Sequence, residues 1–103
     1  MAKKIIWSDT AQKDRKDILQ YWRNRNKSLV YCVKLNKVFD EAAESIAKFP
    51  NIGKPSGYKD SRIKIIKDYL LVYKEFDKFI SIITIWDARQ NPLKLEKILE
   101  EVR

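Results

Sequence analysis

The chain has 103 residues, 45% of them hydrophobic and 12% aromatic, with two glycines, three prolines and one cysteine. That suffices for one packed core, leaves little room for a second, and is too aromatic for a disordered chain. A formal net charge of +8 favours polyanionic partners, and the absence of histidine removes Ser-His-Asp, Cys-His and His-ligated metal chemistry. No apolar run approaches the roughly 20 residues that span a bilayer. Met1 to Trp7 carries two lysines with no apolar stretch before Asp9, so it does not read as a signal peptide. Cytosolic residence without membrane contact is expected. Cys32 can form neither an internal disulfide nor a structural zinc site alone, and reads as a small core residue.

Lys3 to Trp7 is short and β-prone and predicts a first strand. Ser8 or Asp9 then offers a helix cap. Ala11, Arg15, Ile18 and Trp22 follow at helical spacing, flanked by Leu19 and Tyr21, with Lys13, Lys16, Asp17 and Gln20 opposite. The polar run Arg23 to Lys27 breaks that pattern. Ser28 is placed to cap a second helix whose stripe is Tyr31, Leu35, Val38, Phe39, Ala42, Ile46 and Phe49, stopped by Pro50 and Gly53. Asn51 to Asp60 predicts a loop.

The period then changes. Ile63, Ile65 and Ile66 predict a short strand and Tyr69 to Phe76 another. After a tight turn at Asp77-Lys78, Phe79 to Trp86 is the most apolar run and suits a central strand. Asn91-Pro92 starts a short C-terminal helix with a stripe of Leu95, Ile98, Leu99 and Val102. Neither a repeat nor a linker divides residues 1–103, which predict a single α+β domain. An N-terminal strand and a helical hairpin precede a three-stranded antiparallel meander that completes one sheet.

Five features, in order, make the sequence resemble the RelE/ParE toxin superfamily, nearer the ParE-like branch. They are Trp7-Ser8 with Ala11; Asp14, Ile18 and Tyr21-Trp22; Phe49-Pro50-Asn51-Ile52-Gly53; Arg62 followed by Tyr69 and Tyr73 with a turn aspartate; and Asp87-Ala88-Arg89-Gln90-Asn91-Pro92. The set covers nearly the whole chain. Arg15 departs from the pattern by standing where an apolar residue is usual, on a face that is either less buried or paired with an acid. Leu70 departs more consequentially, because it occupies the place of the arginine that RNA-cleaving RelE-like members carry in this strand. The acid or base those enzymes use near the C-terminus is not evident after Arg89.

The resemblance implies the toxin of a bacterial type II toxin–antitoxin system, as found in plasmid stabilization, inhibiting growth by binding a target such as DNA gyrase. A cognate antitoxin, acidic and partly disordered, would neutralise it in a hetero-oligomer. The alternatives are a ribosome-dependent, metal-independent mRNA endoribonuclease and an inactive degenerate member; none needs a cofactor. For a nuclease, Arg62 and Arg89 would bracket a phosphate while Tyr73 or Glu75 moves protons. Lys64, Lys67, Lys74 and Arg89 are the candidates for target or nucleic-acid contact. Each has a plainer reading: Arg89 pairing with Asp87 or Asp60, Tyr69 and Tyr73 as core rings with hydroxyls at the rim, the lysines as a solvated strand face. Antitoxin contact falls to Ile18, Trp22, Leu95, Ile98 and Leu99, to the helical hairpin and to exposed sheet edges.

Overall fold

Ser8 both ends the first strand and starts the first helix. Its backbone is extended (φ −62°, ψ 162°), and its Oγ accepts from Ala11 N–H at 3.0 Å while donating to the Ile83 carbonyl at 2.7 Å. One hydroxyl thus satisfies an orphan helix donor and ties the junction to the sheet. The computed structural model describes residues 2–57 and 60–89. In chain order it contains β1 (Lys4–Trp7), α1 (Asp9–Asn26), α2 (Val30–Lys48), β2 (Lys54–Pro55), β3 (Ser61–Ile66), β4 (Tyr69–Glu75) and β5 (Phe79–Asp87). The expected C-terminal helix, with Leu95, Ile98 and Leu99, lies outside the described residues.

The polar run Arg23 to Lys27 is not a break. It completes α1, with Arg23 and Arg25 in the last turn, where cations favour the helix dipole. Lys27 takes the left-handed conformation (φ 51°) that turns the chain. The second helix starts later than Ser28 suggested. Leu29 is its N-cap without a side-chain bond, and Ser28 Oγ instead accepts from Val30 N–H at 3.2 Å, a local turn ahead of the helix. Leu35, Phe39, Ala42 and Ile46 are buried as expected, Ala43 is buried beside them, and Phe49 is 65% exposed. The helix closes at Lys48, so Phe49 turns out of the stripe.

The sheet order is β1-β5-β4-β3-β2. The helical hairpin returns the chain so that β1 runs parallel to β5, while β2 to β5 pair antiparallel. The apolar run Phe79 to Trp86 is therefore an interior strand between β1 and β4, while the middle of the sheet is β4. The expected loop 51–60 contains β2, two residues against Ile63 and Arg62. A proline there is tolerated because β2 is an edge. Both helices cover one face, where Leu35, Phe39, Ile46, Leu71, Tyr73, Ile80 and Ile82 form the main core. On the other face Val72, Ile83 and Trp86 form a second cluster with Ile63 and Leu70.

β1 pairs with β5 only as far as Trp7 and Ile82. Beyond that point Asp14 of α1 replaces the missing strand, accepting from Ile85 N–H at 3.2 Å and from the Thr84 hydroxyl. The helix so covers an edge that would otherwise be free.

Candidate functional site

The outer edge of β1 has no strand partner, and at its end the Trp7 carbonyl accepts from Gln12 Nε2 at 2.9 Å. Ser8 N–H bonds to β5 while Lys3 N–H turns the other way to the Ala47 carbonyl. By alternation, both peptide groups of Ile5 point outward. Beside this edge runs a groove of about 820 Å³ floored by Ile5, Ile6, Trp7 and Leu19 and rimmed by Lys4, Arg15 and Lys16. Arg15 is held rigidly there. It donates to Asn36 Oδ1 at 2.9 Å, to the Asn36 carbonyl at 3.1 Å and to Asp40 at 2.6 Å, with its guanidinium 4.7 Å from the Trp7 ring centre. Of the two readings of this departure from the family pattern, pairing with an acid is the one observed. The groove was not assembled from the sequence, because its walls come from β1 and α1 and its openness depends on β1 being an edge.

Of the residues considered for phosphate chemistry, Arg62, Tyr73 and Glu75 come together across β3 and β4, where Arg62 and Glu75 line one hollow of about 290 Å³, and Arg89 stands apart. Arg62 stands opposite Tyr73 on β4, and Arg89 follows Asp87, which stands opposite Tyr69. Four residues of strand, roughly 13 Å, separate those two levels. Each group also has a partner. Arg62 Nη1 donates to the Gly53 carbonyl at 2.8 Å and to that of Asn51 at 3.4 Å. Arg89 grips Asp87 through Nε at 3.0 Å and Nη2 at 2.8 Å. That pairing draws the Asp87 carboxyl below the usual carboxylate range and raises the arginine further. Glu75 pairs with Lys3 at 2.9 Å.

Tyr73 is fully buried. Its hydroxyl donates to the Pro50 carbonyl at 2.7 Å and accepts from Gly53 N–H at 2.9 Å, and burial pushes its pKa up. A Cβ on Gly53 would lie 2.7 Å from that hydroxyl and 2.9 Å from the Ile63 carbonyl. The Pro-x-x-Gly turn, Arg62 and Tyr73 are thus one assembly, in which the glycine admits the ring and the arginine and tyrosine fasten the turn. Tyr69 accepts from Trp22 Nε1 at 2.7 Å and is likewise shifted up by burial.

The lysines proposed for target contact are also dispersed. Lys64 lies on β3 opposite Leu71, Lys67 sits in the β3–β4 turn with its ammonium 5.1 Å from the Tyr31 ring, and Lys74 lies 5.3 Å from the Phe76 ring. Ile18 and Trp22 are half-buried against the main core. Ile18 also lines a hollow of about 410 Å³ beside Asp14, Tyr21, Trp86 and Arg89.

Two solved structures share this arrangement. A chromosomal ParDE toxin–antitoxin system from P. aeruginosa matches with a TM-score of 0.76 and 16% identity, over 85% of this chain and 98% of that one. A double-arginine variant of E. coli toxin RelE in the free state matches with a TM-score of 0.64 and 17% identity, over the full length of both chains. At such identities the likeness is one of fold. No curated relative matches the sequence. The family model for the ParE toxin of the type II toxin–antitoxin system parDE matches residues 5–92. Because that match spans residues 5–92, the chain belongs to the ParE toxin family of type II toxin–antitoxin systems.

Proposed function

We propose that this toxin inhibits growth by binding a target such as DNA gyrase, and that a cognate antitoxin neutralises it through an extended acidic segment laid along β1. One observation carries the first half: each group a nuclease would recruit is already engaged, and Arg89 stands away from the other three. Arg62 holds loop carbonyls, Arg89 holds Asp87, Glu75 holds Lys3, and the Tyr73 hydroxyl is sealed in the core with both its bonds made. Leu70 puts an apolar side chain at the β4 position where RNA-cleaving RelE-like members carry an arginine to meet the phosphorane charge. A binder needs none of this. The second half is supported by the outward peptide groups of Ile5, the apolar groove floor and the cationic rim. An added strand draws affinity from main-chain bonds, and its acidic side chains would meet Lys4 and Lys16, since Arg15 is already held by Asn36 and Asp40.

The test is induced expression in a bacterial host, with and without the neighbouring gene, reading growth, bulk mRNA and the DNA-damage response together. Purified chain is added to a gyrase supercoiling reaction in parallel. Growth arrest with intact mRNA, a damage response and blocked supercoiling is expected, all relieved by the neighbour. Codon-phased mRNA cuts would replace this reading with the nuclease, and absence of arrest would point to an inactive member. For the antitoxin contact, Ile5→Pro removes an outward N–H from β1, and Lys4→Glu with Lys16→Glu reverses the rim. Loss of neutralisation with toxicity retained is expected; unimpaired neutralisation by both variants would place the contact elsewhere.

A further inference from the structure

At the tip of the β4–β5 hairpin two phenylalanines stack. Phe76 and Phe79 have ring centres 4.8 Å apart and planes 15° from parallel. The two-residue turn between them needs no aromatic. It is closed by Phe76 N–H donating to the Phe79 carbonyl at 2.8 Å and braced by Lys3 Nζ donating to the Phe76 carbonyl at 2.7 Å. Even so, Phe76 is 38% exposed, and Ile6, on the same sheet face across β5, is 40% exposed.

Register sets the surroundings. Ile5 and Ile80 pair on the core face, so Lys4 and its partner Phe79 point to the opposite face. Lys74 pairs with Ser81 on that face, with its ammonium 5.3 Å from the Phe76 ring. Strands lie about 4.8 Å apart, so Lys4 and Lys74 flank the aromatic pair from the strands on either side of β5. Lys78 adds a third ammonium in the turn.

We propose that this hairpin tip binds single-stranded nucleic acid, one base stacking on the phenylalanine pair while Lys4, Lys74 and Lys78 take the adjoining phosphates. The combination of a braced flat ring surface and flanking cations is what sequence-tolerant single-strand binding requires. An acidic peptide fits less well. The neighbouring peptide groups of β4 and β5 are consumed by the ladder, so a peptide finds no backbone partner there, and a base needs none. The site needs no cleavage chemistry and shares only Lys4 with the rim of the β1 groove.

Purified chain is titrated by fluorescence anisotropy with labelled ten-residue oligothymidine, oligouridine, an abasic strand of equal length and a duplex. Both single strands are expected to bind within about two-fold of each other and roughly ten-fold more tightly than the abasic strand, the lower range of one stacked base. Phe76→Leu should erase that preference, while Phe76→Tyr should keep it. Lys74→Ala should lower the magnitude of the log–log salt slope by about 0.7, the contribution of one phosphate on a single strand. Lys37→Ala, distant on α2, should change neither. Equal affinity for the abasic strand, preference for the duplex, an unaltered Phe76→Leu or no binding at low salt would each overturn the proposal. A melting curve on every variant separates a lost site from a lost fold.

Discussion

Replacing Tyr73 by phenylalanine separates two roles that a tyrosine at this place could have. If the hydroxyl moved protons, its loss would abolish activity and leave stability nearly intact. The structure makes it a fastener. Gly53 N–H is buried and loses its acceptor, which costs about 1–3 kcal/mol. The half-exposed Pro50 carbonyl can turn to water, so its loss adds only about 0.5–1.5 kcal/mol. Together the change removes roughly 2–4 kcal/mol, which in a domain of this size lowers the melting temperature by about 10–25 °C. Thermal melting followed by circular dichroism measures it directly. A melting temperature within about 2 °C of the parent would refute the argument. Gly53→Ala attacks the same fastening from the other side, because its Cβ would meet the hydroxyl at 2.7 Å and the Ile63 backbone carbonyl at 2.9 Å. Since both substitutions disturb one assembly, the double variant should lose clearly less than the two single losses combined.

Asp14→Ala strands the Ile85 N–H and the Thr84 hydroxyl and should cost about 1–3 kcal/mol in urea unfolding, without change in the denaturant slope. Ser8→Ala removes the α1 cap and the tie to Ile83 and should cost about 1–2 kcal/mol by the same measurement. The Asp87 carboxyl is drawn below its unfolded value, so its contribution is present above the ordinary carboxylate pKa and fades as pH falls through the depressed one. Asp87→Asn should accordingly flatten the acid limb of a stability–pH curve and leave the neutral region's slope unchanged. The Tyr69 and Tyr73 hydroxyls are raised by burial, so their contribution is full below the unfolded tyrosine pKa and fades as pH rises through the raised ones. Tyr69→Phe should soften alkaline unfolding. Leu70→Arg should yield no mRNA cleavage in a ribosome-programmed assay, because Arg62 and Tyr73 stay committed to the Pro50–Gly53 turn.

Whatever depends on periodicity is legible in the amino-acid sequence. The helical hairpin, the meander, the interior place of Phe79 to Trp86 and the cap at Ser8 all follow from local pattern and local chemistry. The errors fall where tertiary context outweighs local signal. Arg23 to Lys27 reads as polar and therefore irregular, yet a helix end tolerates cations. Phe49 fits the apolar stripe by spacing but lies one residue past the last helical one. β2 is two residues long and exists only because β3 offers it an edge. The aspartate, tyrosine and glycine that carry the family resemblance turn out to be fastenings. Asp14 stands in for a strand and Tyr73 threads past Gly53. Such residues advertise a fold clearly and a reaction hardly at all, because a buried hydrogen bond restricts sequence as strongly as a catalytic one.

That distinction bears on how the positive charge is used. The most constrained polar groups serve the interior, and Arg15 and Arg62 make all their described polar contacts within the chain. Among the other cations, Lys4 and Lys16 stand by the β1 groove, and Lys4, Lys74 and Lys78 stand around the hairpin tip. Lys4 belongs to both, since it begins β1 and stands beside Phe79. An acidic segment added along β1 would therefore compete with a nucleic-acid phosphate for the same ammonium, even though the groove and the aromatic pair are separate surfaces. Linkage then requires each ligand to weaken the other by one common factor. Lys4→Ala should bring that factor close to one, whereas Lys16→Ala, which touches only the groove, should leave it unchanged. Anisotropy titrations of oligothymidine with and without the neutralising partner measure the factor. A value that survives Lys4→Ala would show that the two surfaces communicate through the sheet.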